Sequence, residues 1–392
     1  MKMNSMITSC ATAIFCLAQF HPASAQSWSQ TSAPTNAWTA VASSTDGSHL
    51  VAVGGHFIYT STDYGSTWVS NNAPAVNWTS VASSADGTKL VAAAGAIYTN
   101  SGTTWTLAFA STHSGRDQDI SFVASSADGA KLVAASSFGD PINSPKPLVY
   151  VSADSGASWA IVTNAPSDGA GWLSVASSAD GTKLAASMMT GGIFTSANSG
   201  TTWSSNTVAP FFSLAMSADG NNLAGAGLIG LFYSSNAGAT WAPLLNGPAI
   251  TNRVACSTNG LVLFGLGKTD IYSSVNGGST WVTNIAPASN WMAIAVSQDG
   301  SRGVAAVAGG GIYILSQTSI IPPTLFITNS PTAVSVFWST NFTAAQSGLA
   351  QNTNLAGTNW IPVPNTPVVN GALYEVSLPE TNSREFFRLQ PP

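Results

Sequence analysis

Eight of the 16 carboxylates of this chain sit in repeated turn motifs, and the ones left over outside its tail are Asp117, Asp119, Asp140, Asp168 and Asp270. Two carboxyl groups about 6.5 to 9.5 Å apart can hydrolyse a glycosidic bond with inversion, one protonating the leaving oxygen while the other activates a water. Asp117 or Asp119 with Asp270 is the pair on offer, solvated loop charge being the plainer reading. Arg116 lies beside them as a cation able to hold an anionic group. His49, His56 and His113 fall in different loops without ligand spacing, so no metal site is expected. No Gly-rich phosphate motif leads from a strand into a helix, and no cofactor is expected.

The elements that would position these residues follow from a repeat of about 40 residues, the mark of a propeller or a related array. A turn recurs at Asp46-Gly47, Asp86-Gly87, Asp128-Gly129, Asp180-Gly181, Asp219-Gly220, Asn259-Gly260 and Asp299-Gly300. Each copy lies between strand-like runs, and Asp-Gly or Asn-Gly accepts the positive φ of a two-residue hairpin. A third strand such as Phe57-Ile-Tyr-Thr follows, then Ser61-Thr-Asp63-Tyr-Gly65-Ser-Thr-Trp68. That last pattern returns at Asp154, Asn198, Asn236 and Asn276, and in shortened form at Asn100.

The Ser-x-Asp-x-Gly-x-Thr-Trp pattern resembles the Asp box, or BNR repeat, of sialidase-like β-propellers. In that family the boxes are structural turns remote from catalysis, so Asp63, Asn100, Asp154, Asn198, Asn236 and Asn276 are expected to be scaffold. The seventh unit, from Trp291 to about Leu315, has no box of its own. Ser27-Trp28 to Trp38 parallels Trp68 to Trp78 and Trp281 to Trp291, so the N-terminal segment is expected to supply a fourth strand to the last blade. The expected fold is all-β: a seven-bladed β-propeller over 26–318 closed by its N-terminal strand, then a small β-sandwich over 319–392. Closure of this kind removes the exposed edges of an open array.

Residues 1–25 read as a secretory leader, with Lys2, an apolar run from Met6 to Phe20, and Ala23-Ser24-Ala25 as a cleavage site. A secreted or periplasmic and cell-surface product, cut near Ala25, is expected. Cys10 and Cys16 leave with the leader, so Cys256 has no internal partner. A net charge of −5 without charge runs gives no nucleic-acid footprint, and no later stretch is long and apolar enough to span a membrane. The tail, with Ala333-Val-Ser-Val-Phe-Trp338 and a closing Phe-Phe-Arg-Leu389, resembles the fibronectin-III-like modules that end many secreted bacterial proteins.

In a four-stranded blade the Asp-Gly turns and the boxes share one face, which leaves the variable loops and the leftover acids on the other. Trp38, Trp78, Trp172 and Trp291 stand eight residues before their turns, where the inner strand begins, and could offer stacking platforms for sugar rings. The alternative is packing between blades. Sialidase chemistry is excluded by the absence of Glu before Glu375 and by having only Arg116, Arg253 and Arg302 in the repeats. Xyloglucan-cleaving enzymes resemble this chain in their Asp-box propellers but use two propellers across a cleft. Photosystem II assembly factors, single seven-bladed propellers of this type, resemble it over residues 27–315 but carry an arginine-rich patch that is missing here.

The residues therefore favour a non-catalytic exported scaffold, a monomer that binds a protein or polysaccharide through its loop-rich face, with an inverting glycoside hydrolase as the alternative. Deleting residues 26–32 is predicted to lower the melting temperature sharply in calorimetry; an unchanged melt would contradict closure by the N-terminal strand.

Overall fold

A computed structural model describes residues 26–315 except for 102, 111–119, 138–147, 166–170, 190–191, 207–209, 245–246 and 251. Beyond these it describes 326–330, 333–339, 348–352, 361–364, 368–370, 373–379 and 386–390. The described residues are all-β, with no helix among them. The chain divides into two compact units, one holding residues 22–321 and one holding 322–392.

In the repeat unit, five four-stranded antiparallel sheets follow one another in chain order, starting at Ser80, Ile120, Trp172, Ser213 and Arg253. Each meanders from an inner strand outward: Ser80–Ser83, Leu90–Ala93, Ile97–Ser101 and Thr104–Phe109 form the first of them. The second strands, such as Leu50–Gly54 and Leu132–Ser136, are buried along their whole length because both faces meet neighbouring sheets. That is why these strands read as unbroken runs of Val, Ala and Leu rather than alternating.

The remaining strands form one eight-stranded sheet, since Gly303–Gly310 runs past its partner Trp291–Val296 and also pairs with Asn36–Ser43 through Asn36 and Ala37. Trp28–Gln30 pairs antiparallel with Ile312–Leu315, in the register Trp28 to Leu315.

The Asp-Gly turns carry the regularity of this unit. Each is preceded by a buried serine whose hydroxyl donates to the turn Asp or Asn and accepts a backbone N–H from five residues ahead. Ser126 Oγ lies 2.6 Å from Asp128 Oδ1 and 2.9 Å from the Lys131 nitrogen. The residue between serine and acid then bonds the next turn. Thr45 N–H donates to Ala85 O, Ala85 to Ala127, Ala127 to Ala179, Ala179 to Ala218, Ala218 to Thr258 and Thr258 to Gln298. Gln298 N–H returns to Thr45 O at 2.7 Å, which makes the series cyclic. Side chains reinforce it: a Cβ on Gly47, whose φ is +77°, would lie 2.8 Å from Arg302 Cδ, and Lys131 packs over Gly181 in the same way.

The Ser-x-Asp loops repeat another fixed pattern. Ser61 Oγ donates to Asp63 Oδ1 and accepts Gly65 N–H, Thr67 N–H donates to Asp63 Oδ1, and Trp68 Nε1 donates to Gly65 O at 3.1 Å. The loops at Asp154, Asn198, Asn236 and Asn276 match it. Tyr64, Ser155, Ser199 and Ala237 take positive φ there, a left-handed conformation unfavourable to side chains, and Gly277 occupies the same place without that cost. Asn100 differs. It sits within a strand, in register with Trp105, and its Oδ1 accepts Leu90 N–H.

In the second unit, Phe326–Ser330, Ala333–Ser339, Leu373–Pro379 and Val368–Asn370 form one antiparallel sheet. Ile361–Pro362, Gly348–Asn352 and Phe386–Gln390 form another. Val336, Leu349, Val376 and Leu378 are buried.

Serine hydroxyls hold the turn carboxyls well below the ordinary range: Ser44, Ser84 and Ser178 bring Asp46, Asp86 and Asp180 to about 2. A carboxyl depressed on folding stabilises above its unfolded pKa of about 4, and that stabilisation is lost as pH falls toward 2. Melting temperature is therefore predicted to drop between pH ~4 and ~2. Asp46, Asp86 and Asp180 replaced together by Asn should flatten that slope, since Asn259 already fills the same place with Ser257. An unaltered slope in the triple variant would refute the assignment.

Candidate functional site

At the end of the inner strands opposite the Asp-Gly turns, the residues just after the strand starts surround a cavity of about 190 Å³. Every inner strand contributes, through Thr39, Thr79, Val123, Ser174, Ser213, Arg253 and Ala293 among others. Polar side chains here bond from one inner strand to the next. Thr39 Oγ1 donates to Trp78 O at 2.8 Å, Thr79 Oγ1 to Ser121 O at 3.0 Å, and Asn252 Nδ2 to Trp291 O at 2.7 Å. Ser174 Oγ accepts Leu214 N–H and Ser213 Oγ accepts Val254 N–H.

Arg253 is the cation of this lining, and no Asp or Glu appears among the described residues around it. Its Nη1 donates to Phe212 O at 3.2 Å and, more weakly, to Asn252 O at 3.5 Å. Leu173, at the position of Thr39 and Thr79, has no donor to offer the next strand, and Arg253 reaches Phe212 O from the other side. Burial pushes the guanidinium below its ordinary value, though an arginine stays protonated at any physiological pH. A partly desolvated cation whose hydrogen bonds go to carbonyl oxygens is drawn to a carboxylate, which its planar donor fork fits in a bidentate manner. Two larger clefts, of about 360 and 290 Å³, open between sheets on the turn side. They are lined by serines, glycines and aliphatic side chains with Lys131 or Arg302, and Arg302 already stacks on Tyr64 at 3.9 Å.

The four tryptophans do not present platforms to solvent. Trp38, Trp78, Trp172 and Trp291 are at most 1% exposed. They pack edge-on against Tyr59, Tyr98, Phe194 and Tyr313 at centroid distances of 5.0 to 5.7 Å. At three of them pairing slips by a β-bulge, between Trp38 and Ala40, Trp172 and Ser174, and Trp291 and Ala293, which turns these indoles into the space between sheets. Trp78 precedes the strand Ser80–Ser83 and packs the same way.

Asp270 lies in the turn after Leu263–Leu266, where Thr269 Oγ1 donates to Oδ2 at 2.8 Å. Arg116, Asp117, Asp119, Asp140 and Asp168 fall outside the described residues, so the glycosidase pair is not placed. Among the described residues no group of three or more His, Cys, Asp or Glu could hold a metal. No helix there is long and apolar enough to cross a membrane. Arg253 is the residue that sequence reading counted without placing. Its signal was a lone cation where the other repeats carry Ala, Ser or Phe, six residues before the turn.

No protein-family model matches the sequence, and neither does any curated protein. Among solved structures, YCF48 from Cyanidioschyzon merolae is similar at 16% identity and a TM-score of 0.55, over 74% of this chain and 98% of its own. YCF48 bound to D1 peptide is similar at 15% and 0.55, over 78% and 100%. The GH74 xyloglucanase from Xanthomonas campestris gives 15% and 0.55 over 80% of this chain but 59% of its own. Likeness at this level shows the fold, and the repeat unit is a β-propeller.

Packing of the four indoles has a measurable consequence. Trp172→Ala is predicted to cost ~3–5 kcal/mol in urea unfolding, as for a large core aromatic. A loss below 1 kcal/mol, as for a surface ring, would contradict its core role.

Proposed function

We propose that this chain is a non-catalytic propeller scaffold whose cavity end engages a protein segment bearing a carboxylate. Arg253 is the observation that carries the reading, a half-buried side chain whose partly desolvated guanidinium lies in a cavity whose described lining holds no acid. Met189, Leu228 and Ile229, exposed by 49%, 75% and 64%, sit in turns at the same end of neighbouring sheets and suit an apolar flank of such a segment. The burial of the tryptophans removes the feature that favoured sugars. That a YCF48 structure holds a peptide adds a precedent on the same fold.

The same reading takes the seven turns as seven blades, with Trp28–Gln30 as the outer strand of the last. The cyclic turn bonds and the pairing of Trp28 with Leu315 support it. The leader, cut near Ala25, sends the chain out of the cytoplasm, the Ser-x-Asp loops are BNR-type Asp boxes, and the tail is a fibronectin-III-like module. The protein acts as a monomer.

Peptides with a free C-terminal carboxylate, and their amidated counterparts, test the proposal by fluorescence anisotropy on wild type and Arg253→Gln. Loss of a charge-assisted pair is predicted to weaken binding about tenfold or more, with amidation giving a like loss. Equal binding by both forms, or none up to millimolar peptide, would overturn it. Reducing-sugar release from polysaccharides, abolished by Asp270→Asn, would establish the hydrolase reading instead.

A further inference from the structure

Gln26 is an anomaly at the start of the repeat unit. It is 1% exposed, yet its side-chain Oε1 and Nε2 are buried without a hydrogen-bond partner among the described residues. Its backbone is tightly held. The nitrogen donates to Asn284 Oδ1 at 3.0 Å, the carbonyl accepts Ile285 N–H at 2.7 Å, and Trp28 N–H donates to Ile285 O. Asn284 Oδ1 also accepts Ser273 Oγ at 3.2 Å, and Asn284 is itself 6% exposed.

We propose that Gln26 is a modification site: once the leader is cut after Ala25, the new N-terminal glutamine cyclises to pyroglutamate, the form that fits this socket. The inference rests on the leader reading above. A free terminus here would put an ammonium, with three donors and a full charge, against one neutral amide oxygen, and burying an uncompensated charge is costly. It would also leave both atoms of the side-chain amide unpaired. The lactam is neutral, offers one N–H to the one acceptor present, and removes the unpaired Nε2, keeping Oε1 as its single carbonyl oxygen.

The step balances without a co-reactant. The α-nitrogen attacks side-chain Cδ, the N–Cδ bond forms and the Cδ–Nε2 bond breaks. Nε2 leaves as ammonia, taking one proton from the α-nitrogen, and Oε1 becomes the lactam oxygen. The charge of the terminus is lost and a five-membered ring replaces the extended side chain.

The exported full chain tests this by mass spectrometry of its N-terminal peptide. The expected peptide begins at residue 26, weighs one ammonia less than its sequence, and resists aminopeptidase until pyroglutamyl aminopeptidase is added to the unfolded protein. A free Gln26 amine in the folded fraction would overturn the modification. A start at any other residue would overturn it too, by failing the leader reading, and the peptide mass separates the two cases. Glutamine cyclises slowly in any peptide, so a second arm tests the fit. Gln26→Ala, with a free terminus, should melt several degrees below wild type, whereas equal melting would show that the socket does not select the ring.

Discussion

Seven backbone hydrogen bonds that pass from turn to turn and come back to Thr45 set the geometry on which the rest of this propeller depends. A cyclic series cannot be adjusted at one member alone, because each carbonyl accepts from a neighbour whose own carbonyl is already engaged. The serine before each turn makes the series possible: its hydroxyl fixes the acid on one side and the outgoing strand on the other. These local bonds hold the backbone in place in a chain with only 7% charged residues.

Constraint at one end leaves freedom at the other. At the cavity end different side chains join adjacent inner strands: Thr39 and Thr79, Ser174 and Ser213, Asn252, and Arg253. Arg253 illustrates how a structural bond and a recognition group can be the same side chain. One guanidinium nitrogen satisfies Phe212 O, while the planar group carries further N–H donors and a charge that carbonyls do not neutralise.

Much of the fold was readable because the turn chemistry is local. Asp-Gly and Asn-Gly declare their φ angles whatever surrounds them, so the strand order within each sheet followed from spacing. The Ser-x-Asp loops were legible for the same reason, with Asn100 the exception, since a shortened spacing moved it into a strand. The tryptophans were legible only as a choice between sugar platforms and packing between blades, because alternation along a strand predicts which face a side chain takes only while the register holds. A single bulged residue after Trp38, Trp172 and Trp291 reverses that parity, and nothing in the local sequence announces it. Arg253 was visible as a residue but not as a site, because its isolation from acids is a property of the assembled cavity.

The pairing of Trp28–Gln30 with Ile312–Leu315 also joins residues far apart in the chain. Gln30 and Tyr313, whose side chains meet at 3.3 Å, are 283 residues apart in the chain. Contacts of such separation form late, after loop-closure entropy has been met by everything between them. Until then Ile312–Leu315 is an open edge, able to accept a strand from another molecule. Trp28–Gln30 therefore covers an edge that a strand from a second molecule would otherwise find.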